Sequence, residues 1–161
     1  MVETFHTGIK FALRQVSRRV KSLDEEMREV DVHLEQLVTK CAPTLLTCRG
    51  IGTQHAAQLL ITAGQNIERL QNDGAFARLC GVAPVPISSG KTNRMRLHRG
   101  GDRKANKTLH LIAVARIRTD PRTQVYLERR RAEGLSKRDV LRCLKRFIAR
   151  EVFNALRQDL L

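Results

Sequence analysis

Residues 9–37, IKFALRQVSRRVKSLDEEMREVDVHLEQL, carry apolar side chains at Ile9, Leu13, Val16, Val20, Leu23, Met27, Val30, Leu34 and Leu37. The steps alternate between four and three, so these side chains fall on one narrow stripe of an α-helix, an a/d seam sustained over successive heptads. Charged residues such as Arg18, Arg19, Glu25, Glu26 and Glu35 fill the positions between. The pattern predicts a long helix, packed either on its own domain or in a coiled coil, within the chain or between two chains. A helix packed on its own domain usually shows a wider stripe, which favours the coiled coil. Pro43 stops the helix, and the expected domain boundary lies there, with a coiled-coil helix over 1–43 and a second domain over 44–161.

Outward from that seam, the composition sets the class. The chain has 161 residues, enough for a real core, but only 4% are aromatic and none is Trp. Such a core is built from Leu, Ile, Val and Ala, which predicts a mainly α fold. The net charge of +14 is unevenly placed: Met1–Pro43 holds seven basic and seven acidic residues, whereas Thr44–Leu161 holds 23 basic and nine acidic ones. That asymmetry points to a polyanion-binding unit beside a neutral one. No apolar run approaches the ~20 residues of a membrane-spanning helix, so no membrane partner is expected. Cys41, Cys48, Cys80 and Cys143 lack CxxC spacing. With no secretory signal at the start, reduced thiols and a cytoplasmic location are expected.

Past Pro43, an apolar segment, the turn Gly50-Ile51-Gly52 and an amphipathic stretch with Ala56 facing inward resemble a helix-hairpin-helix. In that motif glycines free the turn, and backbone N–H groups near the second helix's start grip a phosphate without reading bases. Asn72 is placed to cap a short helix ending at Cys80, with Gly81 as its stop. Asp102 is placed to cap another, with Leu109, Ile112, Ala113 and Ile117 on its apolar face. Arg103, Lys104 and Lys107 oppose that helix's dipole, which an anionic ligand would explain; the alternative is a solvated basic face. Pro121 starts a further helix at its first position, stopped by Gly134. Ser136 to Asp139 read as a capping box with Asp for the usual Glu, opening a last helix with Val140, Leu141, Leu144, Ile148, Val152 and Leu156 on one face.

Between the capped helices lies 84–102, PVPISSGKTNRMRLHRGGD, which reads as a loop or short β-hairpin. It is not a P-loop, because Val85 stands where the upstream glycine belongs. Metal chemistry finds little here: acids after Pro43 are dispersed, no histidines pair at ligand spacing, and no metal site or cofactor is expected in this chain. A hydroxyl among cations suits phosphate chemistry better. Serine attack on a phosphodiester needs an exposed hydroxyl, a proton acceptor and cations around the developing charge. Ser89, or Ser88 beside it, supplies the hydroxyl. Lys91, Arg94, Arg96, His98 and Arg99 supply the surroundings, with Arg103 and Lys104 close by. Gly50 and Gly52 complete the expected phosphate contacts.

The order of these motifs resembles the C-terminal half of the IS-one-ten family of insertion-sequence transposases. The likeness is carried by residues 46–52 (LTCRGIG), 76–84 (FARLCGVAP), 88–91 (SSGK), 98–106 (HRGGDRKAN), 119–123 (TDPRT) and 136–139 (SKRD), and it covers roughly residues 44–157. It implies a DNA-binding, compact helical domain whose nucleophile is Ser89, with Ser88 second, attacking a DNA phosphodiester. It further implies a coiled-coil connection, a homo-oligomer through residues 9–37, an element-encoded guide RNA, and Mg2+ held by a RuvC-like domain. Only 43 residues precede the helical domain, so a truncated protein is expected, with autonomous activity in doubt. The competing readings are a non-catalytic remnant that clamps the phosphate backbone, and a basic RNA-binding module.

Overall fold

The computed structural model describes residues 2–64, 67–89, 92–98 and 100–161, and the side chains among them other than those of residues 2–5, 67, 87–89, 92–94, 96 and 97. Two units make up the chain, Met1–Leu37 and Val38–Leu161. The first is the body of helix α1, Val2–Cys41. Within this unit a lone helix has nothing to bury its seam, and Ile9, Leu13, Val16, Val20, Leu23, Met27, Val30 and Leu37 are all exposed. The helix ends at Cys41, just ahead of Pro43, which can only begin a new helix.

Pro43 is the first residue of α2, Pro43–Thr47, followed by α3 at Thr53–Ala63 and a single 3-10 turn at Ile67–Arg69. Ala42 offers α2 no side-chain cap. The carboxylate of Asp159, more than a hundred residues on, takes that role, accepting from the N–H of Thr44 and of Leu45, each at 3.0 Å. Helix α4 spans Asp73–Leu79, with Asn72 Oδ1 accepting from the N–H of Ala75 at 2.9 Å, as its sequence foretold. Strands β1 (Pro84–Ser89) and β2 (Thr92–Leu97) then form an antiparallel hairpin.

Three helices close the chain: α5, Arg103–Thr119; α6, Pro121–Ala132; and α7, Lys137–Leu160. Gly134, at φ +90, turns the chain between the last two. The α7 cap is reciprocal in part, since Ser136 Oγ accepts from the N–H of Asp139 at 3.2 Å and donates to its carboxylate at 2.5 Å. Helix α7 is the spine: α2, α4, α5 and α6 all pack on it. The core is the aliphatic one that the composition predicts, with Leu45, Leu59, Leu109, Ile112, Val140, Ile148, Val152 and Leu156 fully or almost fully buried. Phe76 on α4 and Phe153 on α7 are the aromatic exceptions, both buried, with ring centroids 6.1 Å apart. Arg146 and Arg150 of α7 both donate to Asp73 at 2.8 Å, pinning the start of α4 from outside the core. Their hydrogen bonds hold the Asp73 carboxyl below its usual range. The fold is thus mainly α, a long N-terminal helix followed by a compact helical unit with one short hairpin. Among the described residues no helix is long and apolar enough to cross a membrane.

Candidate functional site

The turn between α2 and α3 is built on one glycine rather than two. Gly50 has φ +77, a left-handed conformation that L side chains rarely adopt. Gly52 is the extended N-cap of α3, and a Cβ there would meet open space. Lacking a side chain, Gly52 leaves the start of α3 without a side-chain cap, and the first helical acceptor is its own carbonyl, bonded by the N–H of Ala56 at 2.9 Å. Arg116 of α5 fixes the turn from below. Its Nε donates to the carbonyl of Arg49 at 2.7 Å, while Nη1 and Nη2 engage both oxygens of Glu151 at 2.6 and 3.0 Å. Such a fork on a carboxylate holds the guanidinium in one orientation. Burial, with Glu151 nearby, pushes the adjacent Cys48 thiol up to about 11, so it stays a neutral packing group.

The hairpin pairs Pro84 with Leu97 at its root and Ser88 with Asn93 and Ser89 with Thr92 at its far end. The backbone of Ser88 and Ser89 therefore closes β1 next to the turn. Their side chains, those of Arg94 and Arg96, and the whole of Lys91 and Arg99 lie outside the described residues. What the structure does describe in detail is the root. The N–H groups of Val82 and Ala83 both bond the carbonyl of Ala77, at 2.8 and 3.1 Å, and the N–H of Asp102 bonds the carbonyl of Leu79 at 2.7 Å. Both strands thus leave from the C-terminal end of one short helix.

Close approach makes this possible. A Cβ on Gly101 would sit 2.2 Å from the nitrogen and 2.4 Å from the Cα of Gly81, distances that only a glycine permits. Gly81 itself is left-handed, at φ +66. Asn106, on the first turns of α5, donates from Nδ2 to the carbonyls of Cys80 and Gly81 at 3.2 and 2.8 Å. Its Oδ1 accepts from the buried ammonium of Lys145 on α7 at 2.9 Å. Burial, and then the charge of Arg142, pull the Lys145 ammonium below its usual pKa.

Asp102 joins this root to the basic helix. One carboxylate oxygen accepts from the N–H of Lys104 and Ala105, at 2.7 and 3.3 Å, and the other from the hydroxyl of Thr62 on α3 at 2.8 Å. Burial alone would raise its pKa, but the bonds from Thr62, Lys104 and Ala105 outweigh it and leave the carboxyl below its usual range. An ionised cap offsets the dipole at the start of α5, exactly where Arg103 and Lys104 are exposed. His98, one residue beyond β2, is half-buried, and its Nδ1 is buried without a hydrogen-bond partner.

Of the phosphate contacts expected from sequence, Arg103, Lys104 and His98 thus flank the hairpin root in the chain, and Gly50 and Gly52 form the separate turn held by Arg116. Thr62, Asn106 and Lys145 were not singled out as site residues by sequence reasoning. Asn106 had a local signal, standing four residues after the cap Asp102, whereas Thr62 and Lys145 come from distant segments with none.

Both ends of the serine-bearing hairpin are thus anchored on one short helix of a basic helical unit. Comparison with known proteins gives the family. Residues 42–128, more than half of the chain, match the model of the Transposase IS116/IS110/IS902 family. The uncharacterized 42 kDa protein of insertion element IS900 from Mycobacterium paratuberculosis is 29% identical over 123 residues, covering 74% of this chain and 31% of that protein. The uncharacterized 43.6 kDa protein of insertion element IS110 from Streptomyces coelicolor is 29% identical over 139 residues, 84% of this chain and 34% of that protein. The chain belongs to the IS116/IS110/IS902 transposase family. It spans about a third of the length of the curated relatives it matches.

Proposed function

We propose that this chain is the serine-bearing DNA-binding domain of a transposase, acting in DNA transposition by attack on a phosphodiester. The observation that carries this reading is the pairing of Ser89 with Thr92 at the far end of a hairpin whose root is held by Asp102, Gly101 and Asn106. A nucleophile needs a defined position relative to the phosphate, and a fixed root supplies it. In the step itself the Ser89 hydroxyl loses its proton to a base, its oxygen bonds to phosphorus, and one ester oxygen leaves and takes up a proton. The product is a DNA strand joined to Ser89 and a free hydroxyl on the other strand end; Ser88 is the second choice. Lys91, Arg94, Arg96 and Arg99 balance the charge on the non-bridging oxygens, with His98 as a further contact. Arg103 and Lys104 hold the neighbouring backbone, and the Gly50 turn, with the uncapped start of α3, serves as the helix-hairpin-helix-like second contact.

Residues 1–43 act as a coiled coil that makes the homo-oligomer, and 44–161 as the DNA-binding domain. An element-encoded guide RNA and an Mg2+-binding RuvC-like domain belong to the same proposal for the complete recombinase.

A denaturation-resistant protein–DNA adduct tests the reading. With a cognate junction and the complementing RuvC-like part supplied, the parent forms the adduct and Ser89→Ala does not; an adduct that survives Ser89→Ala removes Ser89 as the nucleophile. DNA binding weakens steeply with salt, and Arg103→Gln and Lys104→Gln each lower the salt slope by about 1. Salt-insensitive binding would remove the phosphate-clamp assignment.

A further inference from the structure

One cavity is used by neither the root network nor the glycine turn. It has a volume of about 520 Å3 and opens between the root of the hairpin, α6 and α7, a size ordinary for a small-molecule or nucleotide site. Its apolar wall is Val82, Pro84, Met95 and Phe147. The ring of Tyr126 completes it, standing edge-on to Phe147 at 90° with centroids 5.9 Å apart and carrying the Arg129 guanidinium 5.5 Å from its centre. Phe147 is 53% exposed and Met95 70% exposed, so these two residues of the wall face solvent.

Four guanidiniums stand around that wall: Arg129, Arg130, Arg142 and Arg146. Ion pairs hold all four in place, Arg129 on Glu133 at 3.8 Å, Arg130 on the same carboxylate, Arg142 on Asp139 at 2.7 Å and Arg146 on Asp73 at 2.8 Å. Even so, Arg130 Nε and Arg146 Nη1 are buried and have no hydrogen-bond partner. Buried donors without acceptors are uncommon in folded proteins and call for a ligand or water to complete them. Acceptors in the lining do not answer the call, since the Asp139 carboxylate is already engaged by Arg142 and Ser136. On the far side of Arg142 a second hollow is lined by His110, Lys137, Arg138 and Lys145 together with Leu141, and holds no carboxylate among the described residues.

The ligand these features fit is flat and apolar on its faces, rich in acceptors at its edge, and attached to negative charge. We propose that the cavity receives an unpaired nucleotide of a bound nucleic acid, its base against Phe147, Met95 and the Tyr126 edge and its phosphates on Arg142 and the cations beyond it. Aromatic side chains stack on any base, and guanidinium N–H groups donate to base carbonyls, ring nitrogens and phosphate oxygens alike. The site therefore selects for an unstacked base rather than for a sequence. It rests on the DNA-binding reading above and adds to it a second requirement, that the bound DNA be distorted or carry a single-stranded element.

Two short DNA duplexes of the same sequence test it by fluorescence anisotropy, one fully paired and one with a single unpaired 2-aminopurine. The parent binds the bulged duplex about tenfold more tightly, and the emission of 2-aminopurine changes on binding. Phe147→Ala with Met95→Ala, both at exposed positions, brings the bulged duplex to the level of the paired one and leaves paired-duplex affinity unchanged. Equal affinity of the parent for the two duplexes overturns the cavity assignment and leaves DNA binding standing. Binding to neither overturns both readings together. A bulge preference that persists in the double variant, with its melting unchanged, puts the base elsewhere and overturns the assignment. Phe147-dependent binding of a glutamate–tyrosine peptide, without a bulge preference, would instead assign the cavity to a protein partner.

Discussion

Helices α1 and α7 are both long, charged and studded with aliphatic residues, yet the two meet opposite environments. In α7, Val140, Leu144, Ile148, Val152 and Leu156 are buried, and Ala149, Phe153 and Ala155 beside them are buried too. That is a broad stripe, wide enough to receive helices from several directions. In α1 most of the large apolar residues keep to a narrow seam, Phe11 and Val32 lying off it, and from Ile9 to Val30 that seam is exposed within its own unit. Burying a large aliphatic side chain contributes roughly 1.5–3 kcal/mol, so a seam of this length represents a large unrealised gain. The width of the stripe, more than the number of apolar residues, separates a helix that completes its own core from one whose seam its own unit leaves exposed.

The contrast can be broken most severely inside the compact unit. Phe76→Ala empties the centre of the α4–α7 contact and is expected to cost about 3–5 kcal/mol, read by urea titration of the compact unit. Gly101→Ala drives a methyl group into the backbone of Gly81 and should cost about 3 kcal/mol or more, since neither partner is a movable side-chain end. A melting point within a degree of the parent would show that the two glycines do not touch in solution.

Asp102→Ala removes the α5 cap and the Thr62 acceptor together, for an expected loss of about 2 kcal/mol. Acid sharpens that result. The folded carboxyls of Asp102 and Asp73 lie below the usual 3.8, so both stabilise the unit above that pH and lose the contribution as pH falls through their folded values. Asp102→Asn should accordingly flatten the acid limb of the stability curve, and a limb as steep as the parent's would assign acid unfolding to other groups. Least affected is α1: Leu13→Lys with Val20→Lys should change compact-unit stability by less than about 0.5 kcal/mol while abolishing self-association in sedimentation. Unaltered self-association would remove the seam as the oligomer contact.

Much of this was legible in the chain because it is local. Asn72, Asp102 and Ser136 cap the helices that their spacing foretold, and Pro121 and Gly134 bound α6. These signals act within one turn of backbone. The root of the hairpin was not legible, because Gly101 meets Gly81, Thr62 meets Asp102 and Lys145 meets Asn106 only after the chain has folded back on itself. The Asp159 carboxylate capping α2 is the extreme case, a local need met by a residue 114 positions away from Leu45. For the serine site the sequence supplied the motif and its order, and the structure adds the frame on which its backbone stands.

The root of the hairpin also has a kinetic meaning. The amide hydrogens of Val82, Ala83 and Asp102 are each bonded to carbonyls at the end of α4, and that helix is bound to the spine by Phe76 and the Asp73 ion pairs. In deuterated solvent these three hydrogens are expected to exchange when α4 itself lets go. Their exchange should follow opening of the whole compact unit, so three amides report, from within the native protein, the free energy of the frame that carries Ser89.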